Sequence, residues 1–254
     1  MAQFPLLVAL SAIMGLSIFL SLPVVRSHRA QGRFGIGLNA VAIGILVFLL
    51  ADIFSDVAAL LVNPADPYLT LPALDLLFGV GVLGSFGLLL LVTHRPGQPV
   101  EPHPTQTALV IAAAMGFQNL TEGLVFGAAW AASQVGLSTV VFVGFLFQNL
   151  TEGFPIAAPF LGGKVQRMRP IVPLFLIGGT PAILGGVVGY FYSSHFLEIL
   201  FDAVAIGAIL YVLLPMVRGI FRTLADPEAN LARTRLIYLG ILAGFLLGFA
   251  VNAF

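Results

Sequence analysis

Eight apolar segments, at about residues 4–25, 35–62, 73–93, 106–132, 138–161, 170–192, 196–217 and 234–254, leave this chain few ways to fold. Each is long enough to cross a hydrocarbon layer of about 30 Å at 1.5 Å per residue. The runs are continuous and do not alternate every second residue, which predicts an all-α helix bundle and not a β-barrel. Only 9% of the 254 residues are charged and 59% are apolar, far from the balance of a water-soluble domain. The first segment is preceded by three residues with no basic stretch, so it is expected to stay as a span and not be cleaved as a signal peptide. One transmembrane domain covers 1–254, in an inner or plasma membrane, with the lipid bilayer as its surroundings. There is no Cys, hence no disulfide and no thiolate ligand.

The charges fix an orientation. Arg26, Arg29, Arg33, Arg95, Lys164, Arg167, Arg169, Arg218, Arg222, Arg233 and Arg235 all fall in the loops after spans one, three, five and seven. By the positive-inside rule those loops are cytoplasmic and both termini lie outside. Asp52, Asp56, Asp66, Asp75, Glu198 and Asp202 fall on the outer side. They are either the acids left once basic residues are confined inside, or a negative vestibule that concentrates cations. The i, i+4 spacing of Asp52 and Asp56 puts both on one helix face and favours the vestibule. His94 and His103, in the longest polar loop, read as solvated and not as a metal pair. A balanced net charge and the absence of any soluble domain give no support for a nucleic-acid partner.

One heptapeptide, Phe-Gln-Asn-Leu-Thr-Glu-Gly, occurs twice, at Phe117–Gly123 and Phe147–Gly153. The copies lie in consecutive spans that run in opposite directions, and both reach roughly 15 Å into the bilayer. In each copy the polar side chains stand at i, i+1 and i+4: Gln118, Asn119 and Glu122; Gln148, Asn149 and Glu152. At about 100° per residue each trio forms one polar stripe. A carboxylate at the helix centre costs several kcal/mol and is found mostly facing a cavity, a partner or an ion. No Lys or Arg lies at this depth, so compensation must come from protons or a bound cation. The amides and protonated acids could simply glue two helices together, but six polar groups in a duplicated motif fit a cation site better. Two carboxylates with neutral amide oxygens suit a divalent ion.

Other patterns carry less. Asn119-Leu-Thr121 and Asn149-Leu-Thr151 match a glycosylation sequon at an unreachable depth, and Gly79-x-Gly81-x-x-Gly84 reads as close helix packing and not a nucleotide fingerprint. No hydrolase or Walker motif is present, so the chain is not expected to be an enzyme. In span six, Gly178-Gly179-Thr180-Pro181 predicts a proline kink, with Thr180 a candidate extra oxygen ligand.

The motifs Gln118-Asn-Leu-Thr-Glu-Gly123 and Gln148-Asn-Leu-Thr-Glu-Gly153, the latter followed by Phe154-Pro155, together with Leu184-Gly-Gly-Val-Val-Gly-Tyr190 in span six, resemble the ZIP (Zrt/Irt-like) family of divalent-metal transporters. The resemblance implies eight spans in a 3+2+3 arrangement, with spans one to three and six to eight as a pseudo-symmetric scaffold around spans four and five. It implies transport of a divalent cation of the zinc, iron or manganese class toward the cytoplasm, with no tightly bound cofactor. Gln118 and Gln148 stand where the family carries His, Thr121 and Thr151 where it carries Pro, and Ala182 where many members carry Glu, which disfavours a second metal position. The resulting oxygen-rich set favours manganese, magnesium or ferrous iron over zinc and copper. Thr121 and Thr151 are expected to take over part of the prolines' role by bonding the i−4 carbonyl. Gly123 and Gly127 permit close helix contact, and a homodimer is one use of it. Two other readings remain open from the sequence: a proton-linked carrier of a small solute, and a non-transporting sensor or assembly partner.

Overall fold

The computed structural model describes residues 3–26, 32–62, 71–93, 103–161, 171–192, 194–222 and 231–252. Among them the regular elements are all helical: α1 (Gln3–Leu16), a 3₁₀ turn (Ser17–Ser21), α2 (Leu22–Val25), α3 (Gly32–Val62), α4 (Leu71–Thr93), α5 (Pro104–Ala131), α6 (Val135–Ala157), a second 3₁₀ turn (Ala158–Phe160), α7 (Ile171–Gly179), α8 (Pro181–Phe191), α9 (His195–Arg222) and α10 (Leu231–Asn252). They form eight lengths apolar enough to cross a membrane, as expected. The protein is a multi-pass membrane protein with an all-α bundle. Helices dominate because a lipid-exposed backbone must satisfy its own hydrogen bonds. Span one is α1 with its 3₁₀ turn and α2, span six is α7 with α8, and α3, α4, α5, α6, α9 and α10 carry the others.

Several basic residues assigned to loops lie on helix ends instead. Arg33 is in the first turn of α3, Arg218 and Arg222 close α9, and Arg233 and Arg235 open α10. Helices continue past the apolar stretch because long Arg stems cover apolar surface while the guanidinium stays in water. Arg29, Arg95, Lys164, Arg167, Arg169, Asp66 and His94 lie outside the described residues.

The bundle has a buried middle and a greasy rim. In span four 72% of the most apolar window is buried inside the protein, against 6% in span three, which makes α5 the central helix and α4 a peripheral one. Leu76, Leu83 and Leu91 on α4, and Leu239, Leu242 and Phe249 on α10, are exposed accordingly. In a membrane such faces meet lipid.

An internal two-fold organises the packing. Span four packs on span six as span five packs on span one, and span two packs on span eight as span seven packs on span three. Contacts at single residues repeat the relation. A Cβ at Gly44 would strike the Ile241 carbonyl and the Phe245 amide, and one at Gly207 the Val82 carbonyl and, slightly farther off, the Phe86 amide. Gly15 and Gly179 face each other, each against the other's carbonyl. Gly123 lies on the Ala182 carbonyl and Gly153 on the Ile18 carbonyl. Span one breaks into its 3₁₀ turn at Ser17, and span six breaks at Thr180–Pro181, the equivalent place. Pro181 has no N–H to give, so a helix interruption there is built into the sequence.

Two expectations about glycines change. Gly123 and Gly127 do permit close contact, but with α8 of the same chain, against backbone atoms of Ala182, Gly186 and Tyr190. They are therefore unavailable to a second copy. In the Gly79, Gly81, Gly84 series only Gly81 packs closely, on Ala203, while Gly79 and Gly84 have open space where a Cβ would stand.

Candidate functional site

The duplicated motif places its polar side chains on the facing sides of α5 and α6, and all six are buried: Gln118 3% exposed, Asn119 0%, Glu122 4%, Gln148 4%, Asn149 0% and Glu152 0%. Because the two helices run in opposite directions about the internal two-fold, each copy's asparagine reaches the other copy's glutamate. Asn119 Nδ2 donates to Glu152 Oε2 at 3.0 Å, and Asn149 Nδ2 donates to Glu122 Oε2 at 3.3 Å. Gln118 Nε2 donates to Glu122 Oε1 at 3.1 Å, one turn along α5. All six sequence-identified residues are thus brought into one cluster, tied mainly by crossed amide-to-carboxylate bonds.

The second bond of each asparagine ties the cluster to its surroundings. Asn119 Nδ2 also donates to the Gly178 carbonyl, 3.1 Å away, where span six is about to break. Asn149 Nδ2 also donates to the Phe145 carbonyl at 3.0 Å on its own helix. Ser17, at the matching break in span one, donates to the Met14 carbonyl at 2.6 Å and the Leu146 carbonyl at 3.0 Å. Interrupted helices therefore flank both copies of the motif, the arrangement by which membrane proteins bring backbone oxygens to mid-depth.

The leftover atoms are informative. With the donors spent, Gln118 Oε1, Asn119 Oδ1, Asn149 Oδ1 and Glu152 Oε1 remain buried without a hydrogen-bond partner. All four are acceptors. Orphaned buried acceptors cost roughly 1–3 kcal/mol each, which a bound cation or water relieves. No Lys, Arg or His is buried among the described residues, so no side-chain cation neutralises the pair. The donor set fits a hard cation held by carboxylate and amide oxygen. Among the described residues no group of three or more His, Cys, Asp or Glu is placed to hold a metal, so amide oxygens must complete any coordination here.

A cavity of about 360 Å³ runs from this cluster toward the end of the bundle that carries the acids expected on the outer side. Gln118, Thr121, Glu122 and Gln148 form its floor, and Asp52, Asp56, Glu198 and Asp202 stand in its walls. Four of the six outer acids therefore converge above the motif. Asp75 is exposed on α4 and plays no part in the cavity. Glu122 lies on the cavity, while Glu152, bonded by Asn119, is not among the residues that line it. Toward the other end of α5 and α6, Ile111, Met115 and Ile156 are fully buried in the main hydrophobic core.

Individual residues differ in what they do. The Thr180 hydroxyl donates to the Leu176 carbonyl at 2.6 Å, back along its own helix, beside the proline break and away from the residues that line the cavity. The two threonines do not share a role. Thr151 bonds the i−3 carbonyl of Gln148 at 2.8 Å, whereas the Thr121 hydroxyl faces the Asp202 carboxyl group on the cavity. α5 and α6 run unbroken through both positions. His103 caps α5, its Nδ1 accepting from the Thr105 amide at 3.3 Å. Ala182 is fully buried beside Gly15 and Gly123, with no space for a longer acid.

Sequence reasoning missed Thr121 as part of the cavity wall, although its place one residue before Glu122 was a usable signal. The chain matches no protein-family model and no curated protein.

Proposed function

We propose that this protein is a transporter, and not an enzyme, that moves a divalent metal cation toward the cytoplasm through the site on α5 and α6, as its motifs' resemblance to the ZIP family implies. The observation that carries the reading is the set of four unpartnered buried acceptor oxygens at the two-carboxylate cluster, whose Gln118, Glu122 and Gln148 line an acid-walled cavity, with no buried cationic side chain among the described residues. Acids in the cavity walls raise the local cation concentration. Glu122 meets the ion first, with Gln118 and Gln148 beside it, and Glu152 with Asn119 and Asn149 completes the set. Inward release follows a change that opens a path past the core around Ile111, Met115 and Ile156, in keeping with alternating access about an internal repeat.

The test is uptake by proteoliposomes of purified protein, measured for manganese, ferrous iron, magnesium, zinc and copper. Saturable uptake of the harder ions is expected. Uptake of a small solute with no dependence on metal, or no flux from well-folded protein, would overturn the reading.

Selectivity provides a second prediction. Replacing oxygen with imidazole at two positions, Gln118→His with Gln148→His, should move preference toward zinc by about tenfold or more relative to manganese. An unchanged rank order across the panel would show that these positions do not touch the ion.

A further inference from the structure

A second pocket, of about 200 Å³, lies toward the opposite face and is lined by Asn39, Pro104, Thr107, Pro159, Pro215, Met216 and Gly219. It is the two-fold counterpart of the acidic cavity. Gly44 and Gly207 make equivalent contacts on spans two and seven. At that same spacing along the chain, Asp52 corresponds to Pro215, Ile53 to Met216, Asp56 to Gly219, and Asn39 to Asp202. Every one of these eight residues lines its own cavity, the first of each pair on span two and the second on span seven. On spans two and seven the two cavities are therefore built from equivalent surfaces of the fold, while Pro104, Thr107 and Pro159 line the second pocket at positions of spans four and five that have no counterpart in the first.

Their chemistry differs. Three carboxylates of the outer cavity, those of Asp52, Asp56 and Asp202, are replaced inside by proline, glycine and the neutral amide of Asn39. Asn39 Oδ1 is a buried acceptor without a partner, so one weak oxygen remains. Thr107 adds a hydroxyl on α5.

We propose that this pocket is the release half of the cation path, and that stripping it of carboxylates makes it bind the departing ion weakly. The inference rests on the proposed transport of a divalent cation and adds its exit. The asymmetry supplies no driving force, since the gradient does that; it sets a lower KM for the ion on the outer face than on the inner. Affinity of oxygen sites for divalent ions follows the number of charged ligands. Basic side chains place this face in the cytoplasm: Arg218 adjoins Gly219 in sequence.

The native chain has no Cys, so single cysteines report without background. Asn39→Cys and Gly219→Cys, in oriented proteoliposomes that take up manganese, should react with a membrane-impermeant thiol reagent applied to the cytoplasmic face and be slowed by manganese. Gly219 has open space where the new side chain begins, so that variant reads the pocket even where Asn39→Cys fails to fold. Asn39→Asp should lower the KM for efflux about tenfold while leaving the KM for influx within about twofold. Inside-only labelling with that shift supports the proposal. Labelling from the outer face, or none from the inner face, with uptake intact, overturns the release path and leaves the proposed function standing. A native protein that takes up no metal overturns both.

Discussion

Proteoliposomes carrying Glu122→Gln or Glu152→Gln should accumulate manganese on the order of 100-fold more slowly than those carrying the native chain, because each change removes half the charge of the site. The glutamine is nearly the same size and keeps a carbonyl oxygen where Asn149 Nδ2 or Asn119 Nδ2 donates. Folding is thus expected to survive, with a melting temperature in detergent within a few degrees of the native value. That separation decides between the two roles open to the carboxyl groups. If they only held spans four and five together, an amide would do the same work and uptake would be little altered. If they bind the ion, uptake collapses while the fold persists. Asp75→Asn provides the contrast: it is an outer acid away from the cavity and should change uptake less than twofold.

A large effect on stability is expected at Gly185. A methyl group there would strike the Leu120 carbonyl, with the Gly123 Cα and the Leu124 amide each 3.0 Å away, and all three are backbone atoms that have no rotamer to yield. Gly123, Gly127 and Gly189 interlock the same two helices from both sides. Gly185→Ala should therefore force α5 and α8 apart, costing at least about 1–3 kcal/mol. The loss shows as a lower thermal midpoint in detergent. It should carry function with it, since α8 continues span six from α7, whose Gly178 carbonyl accepts from Asn119. Gly84→Ala tests the argument from the other side. Nothing lies within 4 Å of the added carbon, so the midpoint should stay put or rise slightly, as alanine favours a helix over glycine. Equal effects at 185 and 84 would show that helix propensity, and not close contact, governs both sites.

The eight spans and the meeting of the two motif copies were legible in the sequence because length, apolarity and a seven-residue duplication are properties of the chain itself. Which faces meet was not. Inside a membrane, lipid and protein neighbours are equally apolar, so apolarity marks α3, α4, α9 and α10 alike as spans and does not say that α4 is the peripheral one. For the same reason Gly123 and Gly127 advertised a close contact without naming the partner. The outer acids were visible as a group, but the separation of Asp52, Asp56, Glu198 and Asp202 from Asp75 depends on the rotation of α3, α4 and α9 about their axes. The different fates of Thr121 and Thr151 show the two-fold to be approximate, a departure that two identical heptapeptides conceal. The inner pocket had no sequence signature at all: its kinship to the outer cavity lies in equivalent positions whose residues differ in charge and shape.

The central claim is that Glu122 and Glu152, with the amide oxygens of Gln118, Asn119, Gln148 and Asn149, hold the transported ion. Anomalous scattering from crystals soaked in manganese tests it directly. A peak between the two carboxyl groups, with ligand oxygens within about 2.0–2.6 Å, is the predicted result. A map with no peak there, or with its only peak among Asp52, Asp56, Glu198 and Asp202, would contradict it.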